Sequence, residues 1–180
     1  MNNTDELLFF SDRSQVYKAH VGDFDILKSG ELGDYVPSKL GFDEGERCTA
    51  MCRLEKENDN HRIVLIFENG SAVRVPASAY VTKANRRKLT GAYSDHSPLV
   101  AAFYETEPAE LLIMSESGRG IITSSENIVE KSTRSSRGAI IMTLKKNDKI
   151  TEATTDLSDI SEPKKLRKNK LPSSGTLIVK

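Results

Sequence analysis

Arginine and lysine, clustered with no acid beside them, are the residues of this chain best suited to chemistry, and the chemistry is neutralisation of a polyanion. Lys83, Arg86, Arg87 and Lys88 stand in one short stretch without an acid among them. The basic run KSTRSSRG adds Lys131, Arg134 and Arg137. Lys18, Arg74 and Arg119 lie at nearby positions of three predicted strands, so they are expected to project from comparable places. A phosphate polymer gives up condensed counterions to each cation that neutralises it, which favours such clusters on a rigid surface. Plainer readings stand beside this one. A strand-borne cation can face an acid across its sheet, and a charge run can simply solvate a surface. The tail PKKLRKNK reads equally as a polyanion arm and as a solubility tail.

Other chemistries find little support. No GxxxxGK[ST] phosphate loop, nucleophile elbow or HExxH is present. His20, His61 and His96 assemble into no triad, and no catalytic residue is assigned. Cys48 and Cys52 are the only cysteines, four apart in a predicted strand, which puts both on one face as buried, inert thiols. A metal would need two further ligands, for which no pair is at hand. Asp43, Glu44 and Glu46 of GFDEGER read as a turn rather than a metal site. No cofactor is implied for the chain itself. Without a recognition helix or an aromatic stripe, base-specific reading is not expected.

The elements that would position the cations are short hairpins. His61 to Ile66 is largely apolar and β-rich, Asn69-Gly70 supplies a tight turn, and Ser71 to Val75 returns until Pro76 ends it. The pattern recurs in LLFFSDRSQVYK and LLIMSESGRGII, and aligning Ser14, Gly70 and Gly118 gives offsets of 56 and 48. Further strands are predicted at Arg47 to Leu54, Ser97 to Tyr104, Ala139 to Leu144 and Lys149 to Thr154. The charged loop Glu55 to Asn60 is expected to be mobile. Each copy then holds about four short strands, the size of a propeller blade, and a lone hairpin must pack on its neighbour to bury its apolar face. The fold expected is all-β: a propeller-like array over residues 1–156, with blades about 5–57, 60–105 and 108–156. Residues 157–180 read as a mobile basic tail, with GTLIVK either a closing strand or a disordered end.

With 37% hydrophobic and 29% charged residues, the 180-residue chain fits a soluble globular domain. Lacking an apolar run long enough to span a membrane and an opening signal segment, it is expected in the cytoplasm. Its zero net charge hides segregation. Residues 1–60 carry seven bases against thirteen acids, 61–100 six against two, and 162–180 six against one. A polyanion would meet the middle repeat and the tail.

FFSDRSQVYK, GFDEGER, FENGSAVRVP and STRSSRGAIIMTLKK together resemble the C-terminal domain of the A subunit of bacterial type II topoisomerases, DNA gyrase and topoisomerase IV. The resemblance covers roughly Asp5 to Thr154. It implies a β-pinwheel, in which four-stranded blades exchange strands with their neighbours. It also implies a rim that binds and bends duplex DNA and presents it to a catalytic core elsewhere. The partners implied are DNA, the rest of the A subunit and the B subunit, and the parent enzyme uses ATP and Mg2+. Two features depart from the pattern. The family has five or six blades and this chain three, which suggests a fragment, an open arc, or an array completed by another copy through open blade edges. The gyrase signature, a glutamine and two arginines followed by a glycine-basic-glycine run, is missing, so the likeness leans towards topoisomerase IV or a divergent gyrase-like subunit. A β-repeat protein-interaction module without DNA binding is the alternative.

Overall fold

The computed structural model describes residues 3–55, 60–82 and 86–178. Among them, twelve strands form three four-stranded antiparallel sheets. The first sheet contains β1 (Glu6–Ser11), β2 (Val16–His20), β3 (Cys48–Leu54) and β6 (Lys88–Leu89), in the order β3-β1-β2-β6. The second contains β4 (Arg62–Phe67), β5 (Ser71–Pro76), β7 (Leu99–Glu105) and β10 (Ala139–Ile140), in the order β10-β5-β4-β7. The third contains β8 (Glu110–Ser115), β9 (Arg119–Ser124), β11 (Ile150–Thr154) and β12 (Thr176–Leu177), in the order β11-β8-β9-β12. The expected all-β array of three four-stranded blades is therefore present. Each blade owns three strands. The fourth comes from a segment further along the chain, β6 and β10 each arriving after the hairpin of the next blade.

The offsets of 56 and 48 recur as backbone hydrogen bonds. Asp12, Glu68 and Glu116 donate to the carbonyls of Arg47, Pro98 and Lys149 at 2.9, 3.0 and 2.9 Å. Val21, Ala77 and Ser125 donate to Asp5, His61 and Ala109 in the same way. Ser14, Gly70 and Gly118 all adopt left-handed φ, at 55, 83 and 73°. The middle turn differs in type from the two-residue hairpin expected, because Asn69 is not left-handed. Its side chain accepts instead from Ser71 N at 3.0 Å and Ser71 Oγ at 2.7 Å, leaving Gly70 alone to supply the positive φ.

Alternation along β4 explains its unbroken apolar run. Ile63, Leu65 and Phe67 pack towards the first blade with Leu8 and Phe10, whereas Val64 and Ile66 pack towards the third with Ile113 and Ile121. Both faces of the middle sheet are thus buried. The outer faces of the end blades are covered locally. On the first, Leu7, Phe9 and Tyr17 lie under Phe24, Phe42 and the short helix α1 (Val36–Leu40). On the third, Leu112 and Ile122 lie under Leu157, Ile160, Leu166 and Ile178.

That last cluster corrects the expectation of a mobile tail. The segment forms α2 (Pro163–Leu166), seats Leu166 at 2% exposure, and supplies β12. Its anchors are single residues at irregular spacing, which is why no period was visible. The cysteines need a second correction: Cys52 is buried but Cys48 is exposed. A register shift between Phe10 and Ser11 lets β3 slip by one residue there, reversing the face that even spacing implies. Of the Glu55–Asn60 loop, residues 56–59 lie outside those described.

Candidate nucleic-acid interface

After each of the last two hairpins the chain crosses as a strap onto the preceding blade. The first strap docks where Lys18 N donates to Arg87 O at 2.6 Å and Leu89 pairs with Val16. The second docks where Arg74 N donates to Val129 O and Lys131 N to Arg74 O, both at 2.9 Å, and Ala139 pairs with Ala72. Position 74 is 56 residues beyond 18, and 72 is 56 beyond 16, so the straps engage equivalent residues.

The candidate cations separate into two groups. Lys18 is buried, its ammonium 2.8 Å from Glu6. Arg74 is 13% exposed and donates through Nε to the buried Glu105 at 3.1 Å, with Glu130 at 3.9 Å. Arg119 donates to the carbonyls of Ser174 and Gly175 at 3.0 and 2.6 Å. Lys18 and Arg74 occupy equivalent positions, but Arg119 falls three residues short of theirs, which is held by Ile122. These three do not share a rim; each is drawn into the fold. Arg134 behaves likewise, donating to the carbonyls of Ala79, Gly91 and Thr90 and so tying the second strap to the first.

Lys88 lies 2.9 Å from Asp43 and 5.4 Å above the Tyr17 ring centre. Hydrogen bonding to Lys88, then to Gln15, holds the Asp43 carboxyl below its usual range. Arg86, Arg87, Lys131 and Arg137 are exposed and have no acid partner among the described residues. All four are on the straps. Lys83 lies outside the described residues.

The acids of GFDEGER act as a clamp. Glu46 is 3% exposed, accepts from Tyr17 Oη at 2.7 Å and Asp43 N at 2.9 Å, and is also bonded by Ser11 Oγ. His96 joins Ser71 and Ser94 at 2.9 Å each, but the Ser71 hydroxyl is committed to Asn69. Burial, then the Arg137 charge, holds the His96 pKa down. The Ser–His pair fastens a turn.

The tail is fixed electrostatically as well as by packing. Arg167 grips Glu110 through two bonds of 2.7 and 2.9 Å, which hold the Glu110 carboxyl below the usual glutamate range. A depressed folded-state pKa gives stability that is present above the unfolded value and lost as pH falls through the folded one. Amide protection factors at 163–178, which take out the intrinsic pH dependence of exchange, are therefore expected to fall on acidification below the usual glutamate range. In Glu110→Gln this pH step disappears, and an unchanged step would assign it to another group.

Comparison with known proteins places these features in context. The family model described as the DNA gyrase C-terminal domain, beta-propeller, matches residues 5–33 and 109–162. Solved structures share the fold. The C-terminal domain of a DNA topoisomerase IV superposes with TM-score 0.78 at 17% identity, covering 98% of this chain and 59% of that one. A DNA gyrase A C-terminal domain gives 0.70 at 16%, covering 98% and 60%. The E. coli ParC C-terminal domain gives 0.55 at 15%, covering 86% and 58%. The chain thus spans about three-fifths of the length of these structures. No curated protein matches its sequence. The resemblance drawn from the hairpins and the GFDEGER and TRSSRG elements agrees with both the family model and the solved folds.

Proposed function

We propose that this chain, which matches the DNA gyrase C-terminal domain model in two segments and shares the fold of gyrase and topoisomerase IV C-terminal domains, binds and bends duplex DNA without sequence preference. In this reading it works in the cytoplasm as part of a gyrase or topoisomerase IV. It presents DNA to a catalytic core formed by the rest of the A subunit and the B subunit, in a parent enzyme that uses ATP and Mg2+. The observation that carries the reading is the partition of the cations: those on strands are consumed by the fold, whereas Arg86, Arg87, Lys131 and Arg137 stay exposed on straps docked in one register. Phosphate contacts need charge on a rigid support, and strap docking provides it.

A salt-titrated gel shift with a short duplex tests this. Arg86→Gln with Arg87→Gln is expected to weaken binding equally on unrelated sequences and to lower the salt slope by about 2. Equal affinity and slope in wild type and variant would remove the straps from the interface. One feature favours a protein-interaction module instead. Ile26 and Leu32 are 96% and 97% exposed and Tyr35 70%, in a loop with Asp25, Glu31 and Asp34. Failure of the wild type to shift any duplex would leave that reading in its place.

A further inference from the structure

The third sheet takes its fourth strand from the segment after β11, as the first two sheets take theirs from further along the chain. Thr176 pairs with Gly120 and Leu177 with Arg119. Gly120 and Arg119 stand 48 residues beyond Ala72 and Ser71, which receive Ala139 and Ile140 in the second sheet. The entry point repeats as well. A parallel bridge joins Ile122 to Arg167, where the second sheet joins Arg74 to Glu130. Lys168 N donates to Ile122 O at 2.8 Å. Just before the paired residues, Gly138 and Gly175 hold φ of 71 and 69°. The tail is therefore a third strap, built in the register of the other two.

Its charge lies where that of the second strap does. In the second strap Lys131 and Arg137 fall between the parallel bridge and the strand pair. In the tail Lys168 and Lys170 fall in that same interval, and Lys164 stands just ahead of it. Lys164 and Lys170 are exposed and have no acid partner among the described residues, and the Lys168 ammonium rests on the carbonyl of Lys165 at 3.1 Å. Arg167 and Lys165 are spent on Glu110 and Glu162.

We propose that the docked tail strap is a phosphate-binding site for duplex DNA, with Lys164, Lys168 and Lys170 extending the track of the first two straps onto the third blade. The proposal rests on the DNA-binding reading above, and the experiment separates the two. Full-length chain is titrated with salt against a short duplex in four forms: wild type, Arg86→Gln/Arg87→Gln, Lys164→Gln/Lys168→Gln/Lys170→Gln, and Gly175→Val. Gly175 holds φ +69°, where a β-branched residue is strained, and a Cβ there would stand 3.2 Å from the Gly120 carbonyl oxygen, so the last form is expected to loosen the strap while keeping every charge. Melting curves and amide exchange at 163–178 verify that the blades persist and that only Gly175→Val frees the tail.

The triple lysine variant is expected to bind about 10-fold or more weakly at 0.1 M salt, with the salt slope lower by about 3. Gly175→Val is expected to lose affinity in the same direction. If the lysine variant binds like wild type while the Arg86/Arg87 variant is impaired, this site is overturned and the DNA-binding reading stands. Loss in the lysine variant with full binding by Gly175→Val would mean a free polyanion arm and would overturn the docked strap. If wild type binds no duplex, both fall together.

Discussion

Gly70→Ala is expected to destabilise the protein by about 3 kcal/mol or more, lowering its melting temperature by roughly 10 °C. Gly70 sits at φ +83°, and a Cβ there would stand 2.2 Å from the carbonyl oxygen of Met142. That contact is the second strap crossing the turn, where Ile141 N and Met142 N donate to Gly70 O at 2.8 and 3.1 Å. Left-handed backbone alone costs alanine about 1–2 kcal/mol. Gly118, its equivalent on the third blade, has φ +73° and nothing within 4 Å of the Cβ site. Gly118→Ala therefore measures the backbone cost by itself and should lower the melting temperature by only about 3–5 °C. Equal losses in the two variants would show that the strap yields to the added methyl.

What the sequence disclosed and concealed follows from range of interaction. The three hairpins were legible because a turn residue between β-rich runs is a local signal, and the offsets of 56 and 48 land on the observed turns. The borrowed strands β6, β10 and β12 pair over only two residues each, too few for a pattern, with partners 56 to 73 residues away along the chain. Strand exchange between blades therefore came from the family resemblance and not from the residues.

The cations were visible as charges, but the groups facing them were not. Glu105 reaches Arg74 from 31 residues away, and Arg134 meets carbonyls up to 55 away. One signal was available. Lys18 and Arg74 each follow two successive apolar residues, Val16-Tyr17 and Ala72-Val73, which put apolar side chains on both faces, and a strand buried on both faces cannot send a cation to solvent unpaired. Strap residues carry no such constraint, so Arg86, Arg87, Lys131 and Arg137 stay exposed there.

Arg74 gives the sharpest test of that division. Glu105 is 6% exposed, and its Oε2 has no hydrogen-bond partner among the described residues. Its charge is thus balanced chiefly through Arg74. Arg74→Ala leaves this carboxylate buried without compensation, which costs about 3–5 kcal/mol and outweighs any surface pair. It also removes one of the two cations at Glu130, whose other contact is Arg62 at 2.7 Å, and so loosens the second strap. Arg74→Met combined with Glu105→Leu removes both charges and should recover most of the loss, because the pair must offset its own desolvation. Under conditions where every variant is folded, the duplex salt slope of the double variant should equal that of wild type, whereas Arg86→Gln/Arg87→Gln lowers it. A double variant that melts like wild type but shows a slope lower by about 1 would make Arg74 a phosphate contact and return the strands to the DNA track.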